Sequence, residues 1–157
     1  HLGGGSSSVM IKKKCFDDAG LFDVSMTSCE DWDMWIRIAA HNYLFDFINK
    51  ELVAITIHGN NMSVDMKRMI DGREILLRKH YDLYCKYPQI HSMQHYILGI
   101  QSFREGMMER GRKHFFAVFR YSSPFNISLK CRAMMQILAS TAGSRNYMRI
   151  RKSVNSE

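Results

Sequence analysis

Hydrophobic spacing changes once along this chain of 157 residues. Before about residue 63 the apolar positions come in short, mixed runs, and after it they recur at helical intervals. Residues 1–8 are rich in Gly and Ser and read as a loop, after which Val9-Met10-Ile11 reads as a short strand. Residues 12–19 can form two turns of helix, stopped by Gly20 where a left-handed residue is wanted. A loop over 24–28 leads to the best-defined helix, 29–40, where Trp32, Trp35, Ile36 and Ala39 fall at i, i+3, i+4 and i+7 and predict one buried stripe. Two β-like runs follow at 43–48 and 52–58, parted by a polar turn at Asn49-Lys50, and Gly59-Asn60-Asn61 closes the strand-bearing part.

From Ser63 onward the pattern is helical. Met66, Met69, Ile70, Leu76, Leu77, Leu83 and Tyr84 predict one long helix to about Tyr87, where Pro88 stops it. Three more helices are expected near 92–106, 109–120 and 127–140. Around Gly106 the spacing of Leu98-Gly99, Gly111, Phe115 and Pro124 resembles one tetratricopeptide-type helical hairpin, which implies a packed antiparallel pair and no function. Residues 145–157 are polar and basic and read as a fraying end.

Composition sharpens this division. An apolar fraction of 46% is enough for a real core, and the longest unbroken apolar run, 115–119, falls far short of the roughly 20 residues of a membrane-spanning helix. Nothing at the start reads as a secretory leader. The four cysteines, Cys15, Cys29, Cys85 and Cys131, form no CxxC pair and read as reduced cytosolic core filler. Charge is split: residues 1–63 hold 5 Lys/Arg against 8 Asp/Glu, a net −3, while residues 64–157 hold 17 against 7, a net +10. Such a basic helical segment suits an anionic membrane surface or simply solvates exposed helix faces. Because its apolar residues recur at core-forming spacing, membrane binding is expected through charge and only weakly through apolar insertion. Nucleic acid is disfavoured, since the aromatics at His114-Phe115-Phe116 and Arg120-Tyr121 sit at core spacing.

Candidate chemistry concentrates at Ser28-Cys29-Glu30-Asp31-Trp32-Asp33, which sets three carboxylates at the mouth of one helix. Two roles compete for them. Ser28 with Asp31, or Thr27 with Glu30, fits a capping box, acids in a first turn are favoured by the helix dipole, and Asp33 with Arg37 is spaced for an i, i+4 ion pair. Alternatively, one carboxylate beside Trp32 and Trp35 serves as a general base that deprotonates an acceptor hydroxyl. Asp31-x-Asp33 also spells a metal-binding DxD, but residues i and i+2 of a helix point about 200° apart and cannot share an ion. His58, followed by Gly59, is a candidate ligand for a metal or a diphosphate. No phosphate-cradling Gly loop and no Ser or Cys nucleophile motif is found.

Ser7-Ser8-Val9-Met10-Ile11-Lys12-Lys13, Phe16, Ala19-Gly20-Leu21-Phe22-Asp23, Glu30-Asp31-Trp32-Asp33-Met34-Trp35-Ile36-Arg37-Ile38-Ala39, Tyr43, Leu52-Val53, His58 and Asn61-Met62-Ser63 together resemble the C-terminal part of a bacterial family 2 glycosyltransferase. The match covers about residues 5–63 and is most specific over 20–39. It implies an α/β lobe fragment, the acceptor-side C-terminal part of a GT-A fold over 1–63; the basic, mostly helical extension read from the spacing over 64–157 lies beyond the resemblance. It further implies inverting transfer of a sugar from a nucleotide-sugar donor to a glycan or lipid-linked acceptor. Asp31 falls at the position of the catalytic base, with Glu30 orienting or capping. Trp32 and Trp35 would wall the acceptor pocket, Gly5 and Ser6 would lie on the substrate-binding side, and His58 would sit beside the donor diphosphate and metal. Such enzymes begin with a nucleotide-binding half that carries the metal-binding DxD, and nothing here corresponds to it. The chain is therefore expected to be a fragment, inactive by itself, with the main ligands of a Mn²⁺ or Mg²⁺ ion elsewhere. A cytoplasmic location, peripheral to the inner membrane face, is expected. The competing reading is a non-catalytic helical module that binds a protein, membrane or nucleic acid, which has no need of the Glu-Asp-Trp-Asp cluster.

Overall fold

A computed structural model describes residues 6–54, 56, 65–124 and 126–141. These residues form seven α-helices and a short 3₁₀ turn at Ser6–Ser8, and no strand. The α/β lobe expected for the first part is thereby corrected, because a GT-A lobe requires a sheet. Residues 9–11 and 43–54 run as irregular chain instead. The reason lies in what a strand needs from its neighbours. The run over 43–48 carries exposed Leu44, Phe47 and Ile48, and a lone two-stranded ribbon would leave such side chains uncovered and be marginal in water. The strand-like alternation survives without a ladder: Val9 and Ile11 pack against the Cys15–Met34–Trp35–Ile38 cluster, while Met10 is 98% exposed.

The chain divides into two compact units, His1–Lys79 and His80–Glu157. The first holds α1 (Lys13–Ala19), α2 (Glu30–Ala40) and α3 (Met66–Lys79). Helix α1 ends at Gly20, whose φ of 79° is easy only for glycine, and whose N–H donates to the carbonyl of Phe16 at 2.9 Å. The guanidinium of Arg37 fastens this turn to α2 by donating to the carbonyls of Ala19 and Leu21. The Tyr43 hydroxyl donates to the carboxylate of Asp18, which pushes the tyrosine up to about 12. Asp65 caps α3 with its side chain, accepting from the N–H of Arg68 at 3.0 Å.

The buried face of α2 is Met34, Trp35 and Ile38, not the stripe read from the sequence; Ala39 is exposed and Trp32 is 37% exposed. Contact from two sides explains the rotation. Met34, Trp35 and Ile38 pack on Cys15 of α1, while Ile36 leans on a separate cluster of Met26, Cys29 and Leu76.

The second unit holds α4 (Tyr81–Lys86), α5 (Pro88–Arg104), α6 (Met108–Tyr121) and α7 (Ile127–Thr141). The single helix expected up to Tyr87 is two, α3 and α4, because His80 leaves helical geometry at φ −107°, ψ 27°. Pro88 opens α5, in the first turn where a missing N–H costs nothing. Helices α5 and α6 pack as the predicted antiparallel pair. A Cβ on Gly99 would lie 2.6 Å from the Phe115 ring, and one on Gly111 would lie 2.2 Å from the Phe103 ring, so each glycine is the socket for a phenylalanine. Phe103 and Phe115 meet edge-on at 5.0 Å, and Val118, Leu129, Ala133 and Ile137 complete the core.

A histidine stack lies in the same unit. His91, 2% exposed, stacks on Tyr121 at 3.9 Å, and His95 stacks on the same ring at 5.2 Å. His95 and His114 share a hydrogen bond between their Nδ1 atoms at 3.0 Å. Cys15 and Cys29 are buried, but Cys85 and Cys131 are exposed, so only two of the four free thiols are core filler. Among the described residues no helix is long and apolar enough to cross a membrane.

Candidate functional site

The three carboxylates of Glu30, Asp31 and Asp33 begin α2, and the segment that delivers them is held from α3. The Ser28 hydroxyl is buried and donates to the carbonyl of Arg68 at 2.7 Å, while Arg68 Nε donates to the carbonyl of Thr27 at 2.6 Å. Gly72 permits that approach, since a Cβ there would stand 2.2 Å from Ser28 Oγ and 2.7 Å from its carbonyl oxygen. Cys29, clamped between Ser28 and Glu30, takes left-handed backbone at φ 60°, ψ 20°. A non-glycine residue there costs on the order of 1–3 kcal/mol and persists only where its surroundings over-determine it, a condition often met at functional sites. Burial pushes its thiol up.

This geometry sets aside the capping box. Cys29 occupies the N-cap position without a side-chain bond to the helix, and Ser28 is engaged with α3. The carboxylates then separate into distinct environments. Asp33 is fully buried and accepts from Arg37 Nε at 3.0 Å and from Lys79 Nζ at 3.0 Å. The predicted i, i+4 pair with Arg37 is present, then, but on a buried acid rather than at the surface. Lys79 also reaches Asp23 at 2.5 Å, and that bond, with help from Ser25, holds the Asp23 carboxyl well below the usual range.

Asp31 is placed differently. It precedes Met34, Trp35 and Ile38 by three, four and seven residues, so it heads the buried stripe of α2 at its N-terminal end. Burial pushes its carboxyl up and the charge of Glu30 adds to this, while the Trp32 N–H, donating to Asp31 Oδ1 at 2.7 Å, pulls the other way. Glu30 and Asp31 are both half-buried, and Trp32 stands beside them partly in solvent. Trp35 does not join this group, because it is 3% exposed and packs edge-on to Phe22 at 6.5 Å, a core position that cannot wall a pocket. Ser6 is exposed in the 3₁₀ turn. Gly5 and His58 lie outside the described residues.

Among the described residues no group of three or more His, Cys, Asp or Glu side chains could hold a metal ion. Sequence reasoning missed Lys79, Arg68 and Gly72. The last had a local sign, a glycine amid helix formers, but nothing in the spacing connects Lys79 with Asp33, 46 residues earlier.

No family model, no curated protein and no solved structure matches this chain.

Proposed function

We propose that the first turn of α2 carries the proton-accepting element of an inverting glycosyl transfer. Asp31 takes the proton of an acceptor hydroxyl as its oxygen attacks the anomeric carbon of a nucleotide sugar, the bond from that carbon to the diphosphate breaks, and the nucleoside diphosphate departs. The observation that carries the reading is the separation of the carboxylates. Asp33 is committed to Arg37 and Lys79, whereas Asp31 is partly exposed, joined to no cation by the bonds described, and shifted toward the range in which a carboxylate is a useful base. Glu30 supports it through its charge and Trp32 borders the acceptor. The resemblance over 20–39 supplies the reaction class, and the reading needs no sheet and no metal ligand from the described residues. It fits a cytoplasmic protein with free thiols, acting on a glycan or lipid-linked acceptor.

The test is Asp31→Asn in the enzyme that contains this chain. Loss of a general base should lower kcat by about 10²- to 10⁴-fold and leave donor KM unchanged. A loss of that size from Glu30→Gln, with Asp31→Asn near wild type, would move the base by one residue. Normal turnover in both variants would end the catalytic reading.

A further inference from the structure

The outer face of α7 is apolar although nothing described covers it. Leu129, Ala133, Ile137 and Ser140 are the buried side of this helix and join the core with Phe103, Phe115 and Val118. On the other side Ile127, Cys131, Met134, Met135 and Leu138 recur at i, i+4, i+7, i+8 and i+11. Ile127 is 67% exposed, Met135 62% and Leu138 59%. At about 100° per residue the second stripe is centred roughly opposite the first. Lys130 and Arg132 fall on its two flanks, and the helix contains no acidic residue.

Charge selects the occupant. Residues 110–156 contain ten Lys/Arg and no Asp or Glu, so α6 beyond Glu109, the whole of α7 and the sequence up to Ser156 carry positive charge alone. A second copy of the chain would bring like charges together on this face. Single-stranded nucleic acid is held by aromatic stacking, and α7 has no aromatic side chain. An anionic bilayer meets both features, since Met, Leu and Ile can enter the acyl boundary while Lys and Arg on the flanks reach the headgroup phosphates.

We propose that the outward face of α7 is a membrane-docking surface, in which the Met134–Met135–Leu138 stripe inserts into the interface of an anionic leaflet and Lys130 and Arg132 bind its phosphates. This is independent of the role given to Asp31. It also differs from binding by charge alone, because insertion is not screened by salt.

The test is co-sedimentation of the full chain with phosphatidylcholine vesicles, with or without phosphatidylserine, at 0.1 M and 1 M salt, where the Debye length falls from about 10 Å to about 3 Å. The wild type should bind the phosphatidylserine vesicles at low salt and retain part of that binding at high salt. Met134→Gln/Met135→Gln/Leu138→Gln should weaken low-salt binding at least tenfold and abolish the salt-resistant part, with an unchanged circular dichroism spectrum. Lys130→Glu/Arg132→Glu should remove the preference for phosphatidylserine. Equal binding by wild type and the triple variant, complete loss of wild-type binding at high salt, or no binding at all would overturn the proposal. So would lipid-free dimerisation that the triple variant abolishes, which would assign the stripe to a second copy.

Discussion

The crossing of α2 with α3 and that of α5 with α6 bring helices together by different chemistry. In the first unit the link is a buried carboxylate, Asp33, bonded to Arg37 on its own helix and to Lys79 at the end of α3. In the second it is shape, with Gly99 and Gly111 receiving the rings of Phe115 and Phe103. A charged link depends on geometry among three side chains and leaves Arg37 and Lys79 partly in water, so it fixes orientation more than it adds stability. An aromatic in a glycine socket does the reverse, burying a large apolar area that any hydrophobic side chain of similar volume would partly replace. The unit with the charged link also carries the half-buried carboxylates of Glu30 and Asp31, while the interlocked unit presents an apolar face on α7.

The largest effect is expected where shape carries the packing. Phe115 is fully buried, and Phe115→Ala should destabilise the second unit by about 3–5 kcal/mol through lost burial and a cavity between α5 and α6. Hydrogen exchange resolved by segment should register the loss in α5, α6 and α7 and leave α2 protected. Equal loss in both units would mean that the two are one cooperative body and that the comparison fails.

Asp33→Ala probes the charged link. Breaking a buried pair costs about 3–5 kcal/mol, but the partners left behind here, Arg37 and Lys79, are 21% and 32% exposed and can be rehydrated. About 2–3 kcal/mol is therefore expected, confined to the first unit, with Asp33→Asn retaining part of the difference. A destabilisation as large as that of Phe115→Ala would make the charged link equal in strength to the interlock.

A matched pair of glycine substitutions sharpens the contrast further. Alanine at Gly111 meets the Phe103 side chain at 2.2 Å and backbone, the Gly99 carbonyl, only at 3.0 Å, whereas alanine at Gly72 meets the Ser28 carbonyl at 2.7 Å as well as its hydroxyl at 2.2 Å, and backbone cannot yield so easily. Gly72→Ala should cost about 1–3 kcal/mol, at least as much as Gly111→Ala. It should also bring the Asp31 carboxyl back toward its ordinary value, as read by NMR titration, because the Ser28–Arg68 clamp positions the start of α2. An unchanged Asp31 titration in a folded Gly72→Ala variant would separate the clamp from the site.

The second unit was largely legible in the sequence because its helices rest on local spacing. Leu98-Gly99, Gly111 and Phe115 announce the hairpin, and the predicted limits of α6 and α7 differ from the observed ones by a residue at most ends. The first unit was less so. The apolar runs at 9–11 and 43–48 have β-forming residues, but a strand exists only with a partner, which no single run can specify. The face of α2 was misjudged because Trp32 looked as apolar as Met34, while the contacts that turn the helix, with Cys15 on one side and with Met26 and Leu76 on the other, come from residues outside it. At the site, the cluster of acids was visible, but the division between structural Asp33 and half-buried Asp31 became apparent only once α3 was in place. Trp35 shows the same limit, since its type suits a pocket wall equally well as a core.

Acid should separate the units by pH, with the smallest effect per group. In the second unit burial holds His91 neutral, lowering it from the ordinary 6.5, and the groups stacked around it, His95, Tyr84, Tyr81 and Tyr121, offer no carboxylate to stabilise an imidazolium. The unfolded chain takes up that proton more readily than the folded one, so the contribution of His91 is intact above pH 6.5 and declines as pH falls below it toward the depressed folded value. In the first unit the depressed carboxyl of Asp23 keeps its contribution above its ordinary 3.8 and loses it only as pH falls further. Asp31 acts in the opposite sense, its raised carboxyl favouring the folded state as pH drops, and so partly offsets that loss. Segment-resolved hydrogen exchange between pH 7 and about pH 4 should therefore find the second unit weakening first, with the first still protected; His91→Phe should flatten the early loss. Weakening of the first unit ahead of the second, or an early loss that persists in His91→Phe, would remove the histidine stack from the explanation.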